Sequence, residues 1–350
     1  MSIGVDARAG VRGPDNRGCP RLASEALAPI DGWVSGRGSR TIDDVRLPRL
    51  SPRAYSRITL VALLAQVFII VTGAAVRLTG SGLGCSDWPT CEQDKLVAPL
   101  EYHAMVEFVN RTITGVVSVA VIVAVLGSLL RSPRRRDLTW LSLGLVAGVV
   151  GQIVLGGLTV LFELRPPFVI GHFVVSLILV WNAFVLHERS RVAPGPALPV
   201  VPRNVRILGR LLVIVAGITV LTGTVVTGTG PHGGDENAER FSFDITHVAR
   251  IHSATVWIFL ALTVATLVVL RRGGAPTAVD RRAKLLVIAI VVQGAIGYTQ
   301  YFTGVPPWLV LLHVLGSVLV WIAVLAFDLS LVARPAERDG SPVPASPVSS

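Results

Sequence analysis

The chain has 350 residues, of which 51% are hydrophobic and only 15% charged, with a mean hydropathy of +0.63. No soluble domain of ordinary composition has that balance. The net charge of +10 does not point to nucleic acid, because the arginines gather in short loops and an N-terminal tail, where they set the orientation of a membrane protein.

Residues 1–56 are rich in Arg, Gly, Pro, Ser and Asp and show no sustained apolar period. They read as a disordered cytoplasmic tail and lack the plan of a signal peptide. Eight apolar runs follow, near 58–77, 104–130, 138–162, 168–187, 208–229, 246–270, 283–303 and 308–332. Each approaches or exceeds the roughly 20 residues that cross a bilayer. The expected fold class is therefore all-α: a polytopic membrane protein whose eight transmembrane helices form two tandem four-helix bundles. The first bundle spans 57–190, a cytoplasmic linker 191–207 and the second bundle 208–332, with a disordered cytoplasmic tail over 333–350. The linker contains RVAPGPALPVVP and reads as a hinge between the halves.

The connections divide by charge. Arg131, Arg134, Arg135 and Arg136 follow the second run; Arg189, Arg191, Arg203 and Arg206 follow the fourth; Arg271, Arg272, Arg281, Arg282 and Lys284 follow the sixth. The remaining connections hold only Lys95, Arg165 and Arg240, with Arg77 at a helix end. Positive charge marks the inner side, so both termini are expected in the cytoplasm of a multi-pass plasma-membrane protein. The loop with Cys85 and Cys91 then faces outward, where a disulfide can persist. A zinc site is a weaker reading, for want of a second ligand pair, and Cys19 in the polar tail stands apart.

After that loop a new apolar run opens with His103, Glu107, Asn110 and Arg111. Spacings of four and three put His103, Glu107 and Asn110 on one helix face. A carboxylate entering an apolar segment is costly, which makes Glu107 a functional candidate. Its bland role is an ion pair with Arg111, four residues on.

The halves repeat. VTGAAVRLTGSG at Val71–Gly82 matches LTGTVVTGTGPHGG at Leu221–Gly234. Gln152 precedes His172 by twenty residues, as Gln293 precedes His313, with Pro166-Pro167 and Pro306-Pro307 between. Trp181 and Trp321 follow the two histidines. An even number of helices per half gives both halves one orientation, with a symmetry axis along the membrane normal. In this register His252 matches Asn110 and His313 matches His172, all about two turns, roughly 10 Å, inside the outer helix ends. Two imidazoles facing each other inside a helix bundle suit a haem iron. The histidines His252, His313 and His172 are the metal candidates, and Asn110 is a poor ligand in the fourth position. The second half is thus expected to hold a haem through two ligands, the first through His172 alone. Arg77, Arg111 and Arg250 could pair with haem propionates or snorkel to the interface.

On these residues the chain resembles the haem A synthase family, over nearly all of 58–332. The carrying pieces are VRLTGSGLGCSDWPTC at Val76–Cys91, EFVNR at Glu107–Arg111, and His172, His252 and His313. The resemblance implies oxidation of the C8 methyl of haem O to a formyl group, with oxygen from water, giving haem A for cytochrome oxidase. It implies a haem b between His252 and His313, and substrate haem O in the N-terminal half near Glu107 and His172. Cys85 and Cys91 match the family's paired cysteines. Asn110 departs from the family, which has histidine there. Partners in this reading are membrane lipid, an electron acceptor outside the chain and the haem O-producing farnesyltransferase; a homo-oligomer is compatible with it. The rivals are a di-haem cytochrome b-type quinol oxidoreductase and a non-enzymatic haem transporter or delivery protein.

Overall fold

A computed structural model describes residues 49–92 and 97–335 of the chain. Lys95, Cys19 and most of both expected tails, at 1–48 and 336–350, lie outside the described residues. Eight long helices make up nearly all of what is described: α1 (Pro52–Leu78), α2 (Tyr102–Leu130), α3 (Arg136–Leu161), α4 (Pro166–Ser190), α5 (Arg203–Thr229), α6 (Ile245–Arg272), α7 (Thr277–Phe302) and α8 (Pro307–Ser330). All eight are long and apolar enough to cross a membrane, so this is a multi-pass membrane protein. Between 11% and 39% of each apolar window is buried, which leaves most of the apolar surface facing outward, as lipid requires.

The helix starts follow local chemistry. The Ser51 hydroxyl accepts from the Ala54 N–H, and the Asp244 carboxylate from the His247 N–H, so both cap free amide donors. Proline in the first turn opens α1, α4 and α8, where its missing N–H costs nothing. The outer turns after α3 and α7 are the same turn twice. Leu164 and Val305 both stand at φ 59°. Each amide reaches back five residues, Leu164 to Thr159 O at 2.8 Å and Val305 to Gln300 O at 2.7 Å, closing the helix end.

Each half closes as a ring. Helix α1 packs on α2, α2 on α3, α3 on α4 and α4 on α1, and α5 to α8 repeat the pattern. The rings meet through α1 with α8, α4 with α8 and α4 with α5. Exchanging the halves maps these three contacts onto one another, so a pseudo-two-fold axis passes between α4 and α8. The repeated tryptophans meet there: Trp181 and Trp321 lie edge to face with centroids 6.1 Å apart. The side chains break the symmetry, because Trp321 donates its indole N–H to Leu177 O at 3.1 Å and is 7% exposed, while Trp181 is 45% exposed.

The linker between the halves, read from the sequence as a hinge, makes backbone pairings with the segment after α8. Strand β1 (Leu198–Pro199) pairs antiparallel with β2 (Val332–Ala333). The Ala193 amide also donates to Pro335 O at 2.8 Å. The segment after α8 thus straps the connection between the bundles.

Candidate functional site

In the second half, two imidazoles sit in seats made by glycines on the neighbouring helix. A methyl group at Gly223 of α5 would stand 3.0 Å from His252 Cε1, and one at Gly297 of α7 would stand 3.0 Å from His313 Cε1. Any larger residue would push the rings away, because packed interiors leave no slack at that distance. Thr222 stands 3.1 Å from His252 Nδ1. Its own proton is engaged by Thr219 O at 2.9 Å or by the Thr255 hydroxyl at 3.1 Å. With its proton so engaged, Thr222 can accept from Nδ1–H, the tautomer that leaves the lone pair on Nε2, the nitrogen a metal would take. His313 Nδ1 is buried without a partner. Gln293 Nε2 donates to His313 O at 2.7 Å and ties α7 to α8 at that level.

The first half repeats three quarters of this. His172 lies against Gly156, with 3.5 Å between the position of an added methyl and His172 Cε1. Its Nδ1 is buried without a partner, and Gln152 Nε2 donates to its carbonyl at 3.1 Å. At the fourth position stands Asn110, whose Oδ1 is buried and unpartnered. The matching glycine, Gly73 of α1, has no atom within 4 Å of an added methyl. Thr72 keeps the conformation of Thr222, donating to Ile69 O at 3.2 Å. A haem fits these residues: His172 and His313 each keep a buried ring nitrogen without a partner, and imidazoles carried on bundle helices are donors that a haem iron takes.

The loop between α1 and α2 closes over the first half. Cys85 and Cys91 form a disulfide. Glu107, 5% exposed, accepts the Cys85 N–H at 2.8 Å on Oε2 and Arg111 on Oε1, from Nε at 3.0 Å and Nη2 at 2.5 Å. Arg111 Nη1 continues to the carbonyls of Asp87 at 3.1 Å and Thr90 at 2.9 Å. Arg111 is thus committed to the loop, whereas the sequence offered it as a propionate partner. The Glu107–Arg111 ion pair, the bland role for that carboxylate, is formed. The loop crosses the start of α2 so closely that a methyl at Gly84 would stand 2.2 Å from His103 O, a place only glycine fits. Trp88 lies on Gly157 of α3.

The remaining candidates at this end of the helices include contacts that bind the halves together. Arg77 donates from Nε to His232 O at 2.8 Å and from Nη2 to Thr227 O at 2.9 Å, and Gly82 N–H donates to Gly234 O at 2.7 Å. A cleft of about 400 Å³ opens there, lined by Arg77, Thr79, His232, Asp235, Glu236 and Arg240. Burial pulls the Arg240 guanidinium below its usual range. His232 Nε2 stands 2.9 Å from Val305 O, and His103 Nδ1 stands 2.9 Å from Ser81 Oγ. His247 and Arg250 are exposed, and His187 Nδ1 meets Thr59 Oγ1 at 3.1 Å near the inner end. The sequence reading missed the glycine seats and Thr222. The repeat carries both, since Thr72-Gly73 aligns with Thr222-Gly223 and Gly156 precedes His172 by the sixteen residues that separate Gly297 from His313.

Residues 56–231 match the COX15-CtaA family, described as cytochrome oxidase assembly protein. The chain is similar to proteins named "Heme A synthase" from Lysinibacillus sphaericus, 29% identical over 33% of this chain and 38% of the relative, and from Bacillus licheniformis, 27% identical over 36% and 42%. A protein of the same name from Listeria welshimeri is 26% identical over 75% of this chain and 89% of its own length. The first two matches thus span about two fifths of those relatives.

Proposed function

The chain belongs to the COX15-CtaA family of cytochrome oxidase assembly proteins, and from that premise we propose that it is a haem A synthase, a membrane oxidoreductase that converts the C8 methyl of haem O to a formyl group. The observation that carries this reading is the repeated seat: a histidine against a glycine of the neighbouring helix at His172, His252 and His313, with Asn110 in the fourth place. In this reading His252 and His313 hold a haem b, and haem O enters the first half at His172. A haem held by two imidazoles supplies one-electron redox chemistry without an exchangeable position.

The chain's own residues divide the rest. Thr222 sets the tautomer of His252, and Gln152 and Gln293 fix the helix pairs that present His172 and His313. Glu107 stands one turn outward of Asn110 and keeps a carboxylate beside the first-half pocket. Its Oε2 accepts the Cys85 N–H, so proton transfer at this carboxyl is coupled to the loop. Each hydroxylation breaks a C–H bond of the methyl and an O–H bond of water, forms a C–O bond and releases two protons and two electrons, the carbon alone being oxidised. The second gives a gem-diol that loses water to the formyl group, so an electron acceptor outside the chain is required. The farnesyltransferase that makes haem O is the natural donor of substrate. The positive-inside rule puts both termini in the cytoplasm.

The test is extraction and identification of the haems from full-length protein co-expressed with a haem O source, wild type beside Glu107→Gln and His313→Ala. Wild type is expected to carry haem b with haem A or a hydroxylated intermediate. Glu107→Gln is expected to keep haem b and lose haem A, and His313→Ala to lose haem b. Two stoichiometric haem b groups that never oxidise haem O would replace the synthase with a quinol oxidoreductase.

A further inference from the structure

The fourth imidazole seat survives in the first half although its histidine does not. Thr72 and Gly73 reproduce Thr222 and Gly223, down to the hydroxyl that bonds the carbonyl three residues back. Where His252 fills the space over Gly223, nothing stands within 4 Å of a methyl at Gly73. Asn110 is too short to fill that space, and its Oδ1 is buried with no partner. An amide is also a poor ligand for iron beside an imidazole. A buried, unpaired carboxamide oxygen is unfavourable, and a polar visitor can offset that cost.

We propose that the first half keeps one axial position of its haem open on the Asn110 side, and that a small exogenous ligand binds there within reach of the Asn110 amide. This rests on the reading that the first half takes a haem at His172. The class of ligand is a water-sized or diatomic molecule, because the space is the difference between an imidazole and a carboxamide. The second half has no such position, since both of its seats are filled. Asn110 is a positioning residue here: it leaves the iron open and offers one donor and one acceptor to whatever binds.

The experiment is a carbon monoxide difference spectrum of the reduced, full-length holoprotein, with haem content of each half fixed by comparison with His172→Ala. Wild type is expected to bind carbon monoxide at the first-half haem only. Asn110→His is expected to weaken that binding at least tenfold and to give the first-half haem the spectrum of the second. Should Asn110→His fail to fold, Asn110→Ala serves: millimolar imidazole is expected to enter the enlarged seat over Gly73 and produce the same two-imidazole spectrum. A first-half haem that is present but inert to carbon monoxide overturns this inference and leaves the synthase reading standing. So does Asn110→His that binds carbon monoxide as wild type does. A first half that holds no haem, with His172→Ala unchanged in haem content, overturns both.

Discussion

In the second half His252 rests on Gly223, 3.1 Å from the Thr222 hydroxyl; in the first half nothing stands within 4 Å of a methyl at the matching Gly73, and Asn110 Oδ1 is buried without a partner. The outer loops differ as sharply. The first half carries a disulfide loop clamped by Glu107 and Arg111, with Trp88 on Gly157. At the corresponding depth of the second half, Tyr298 instead receives the Trp257 indole N–H at 3.0 Å and meets Ser253 Oγ at 2.6 Å. The backbone plan, the glutamines and the outer turns are shared. Divergence between the duplicated bundles is thus marked at one seat and one loop, and under the proposed function this would give one scaffold a permanent haem site and an exchangeable one.

The largest expected effect on this contrast comes from His313→Ala. Losing a second-shell partner costs metal sites about 10–100-fold, and losing an axial ligand costs more, so haem b should be absent after purification by haem extraction. Glu107→Ala comes next. It leaves Arg111 half-buried without its carboxylate, a change of about 3 kcal/mol for a buried pair, felt only in the first-half loop. Thiol release by a reductant should then be faster at Cys85–Cys91, with the haem b spectrum unchanged.

A finer comparison uses the glycines. Gly223→Ala puts a methyl 3.0 Å from His252 Cε1 and should weaken haem b retention, read by optical titration with a competing apo-protein. Gly73→Ala meets nothing within 4 Å and should leave both haems in place, while the helix gains up to about 1 kcal/mol from losing glycine. Equal damage from both changes would mean that the two seats are equally filled, and would contradict the contrast between the halves. The smallest effect is expected from Thr222→Val, which removes one hydrogen bond of about 1 kcal/mol from His252 Nδ1. It should shift the haem b potential measurably while Thr72→Val does not.

Much of this was legible before any coordinates. Apolar runs of about bilayer length fix helices, because backbone groups in lipid have no other partner. The repeated Gln-to-His spacing and the paired prolines marked the duplication, and the break at Asn110 was visible as a break in that repeat. The seats were not legible, because a glycine in a membrane helix reads as a general packing residue until its neighbour is known. Nor was the fate of Arg77, which reaches carbonyls more than a hundred residues away on the other half, or of Arg111, whose commitment to Asp87 and Thr90 depends on how the disulfide loop folds back. Such contacts are set by tertiary approach and leave no periodic trace in the chain.

The most direct test of the two-halves account is the low-temperature electron paramagnetic resonance spectrum of the oxidised holoprotein, wild type beside His172→Ala and His313→Ala. The account predicts a two-imidazole low-spin signal that survives His172→Ala and vanishes in His313→Ala. A low-spin signal that disappears with His172 and persists without His313 would contradict it, because the permanent haem would then lie in the half where Asn110 leaves the seat open.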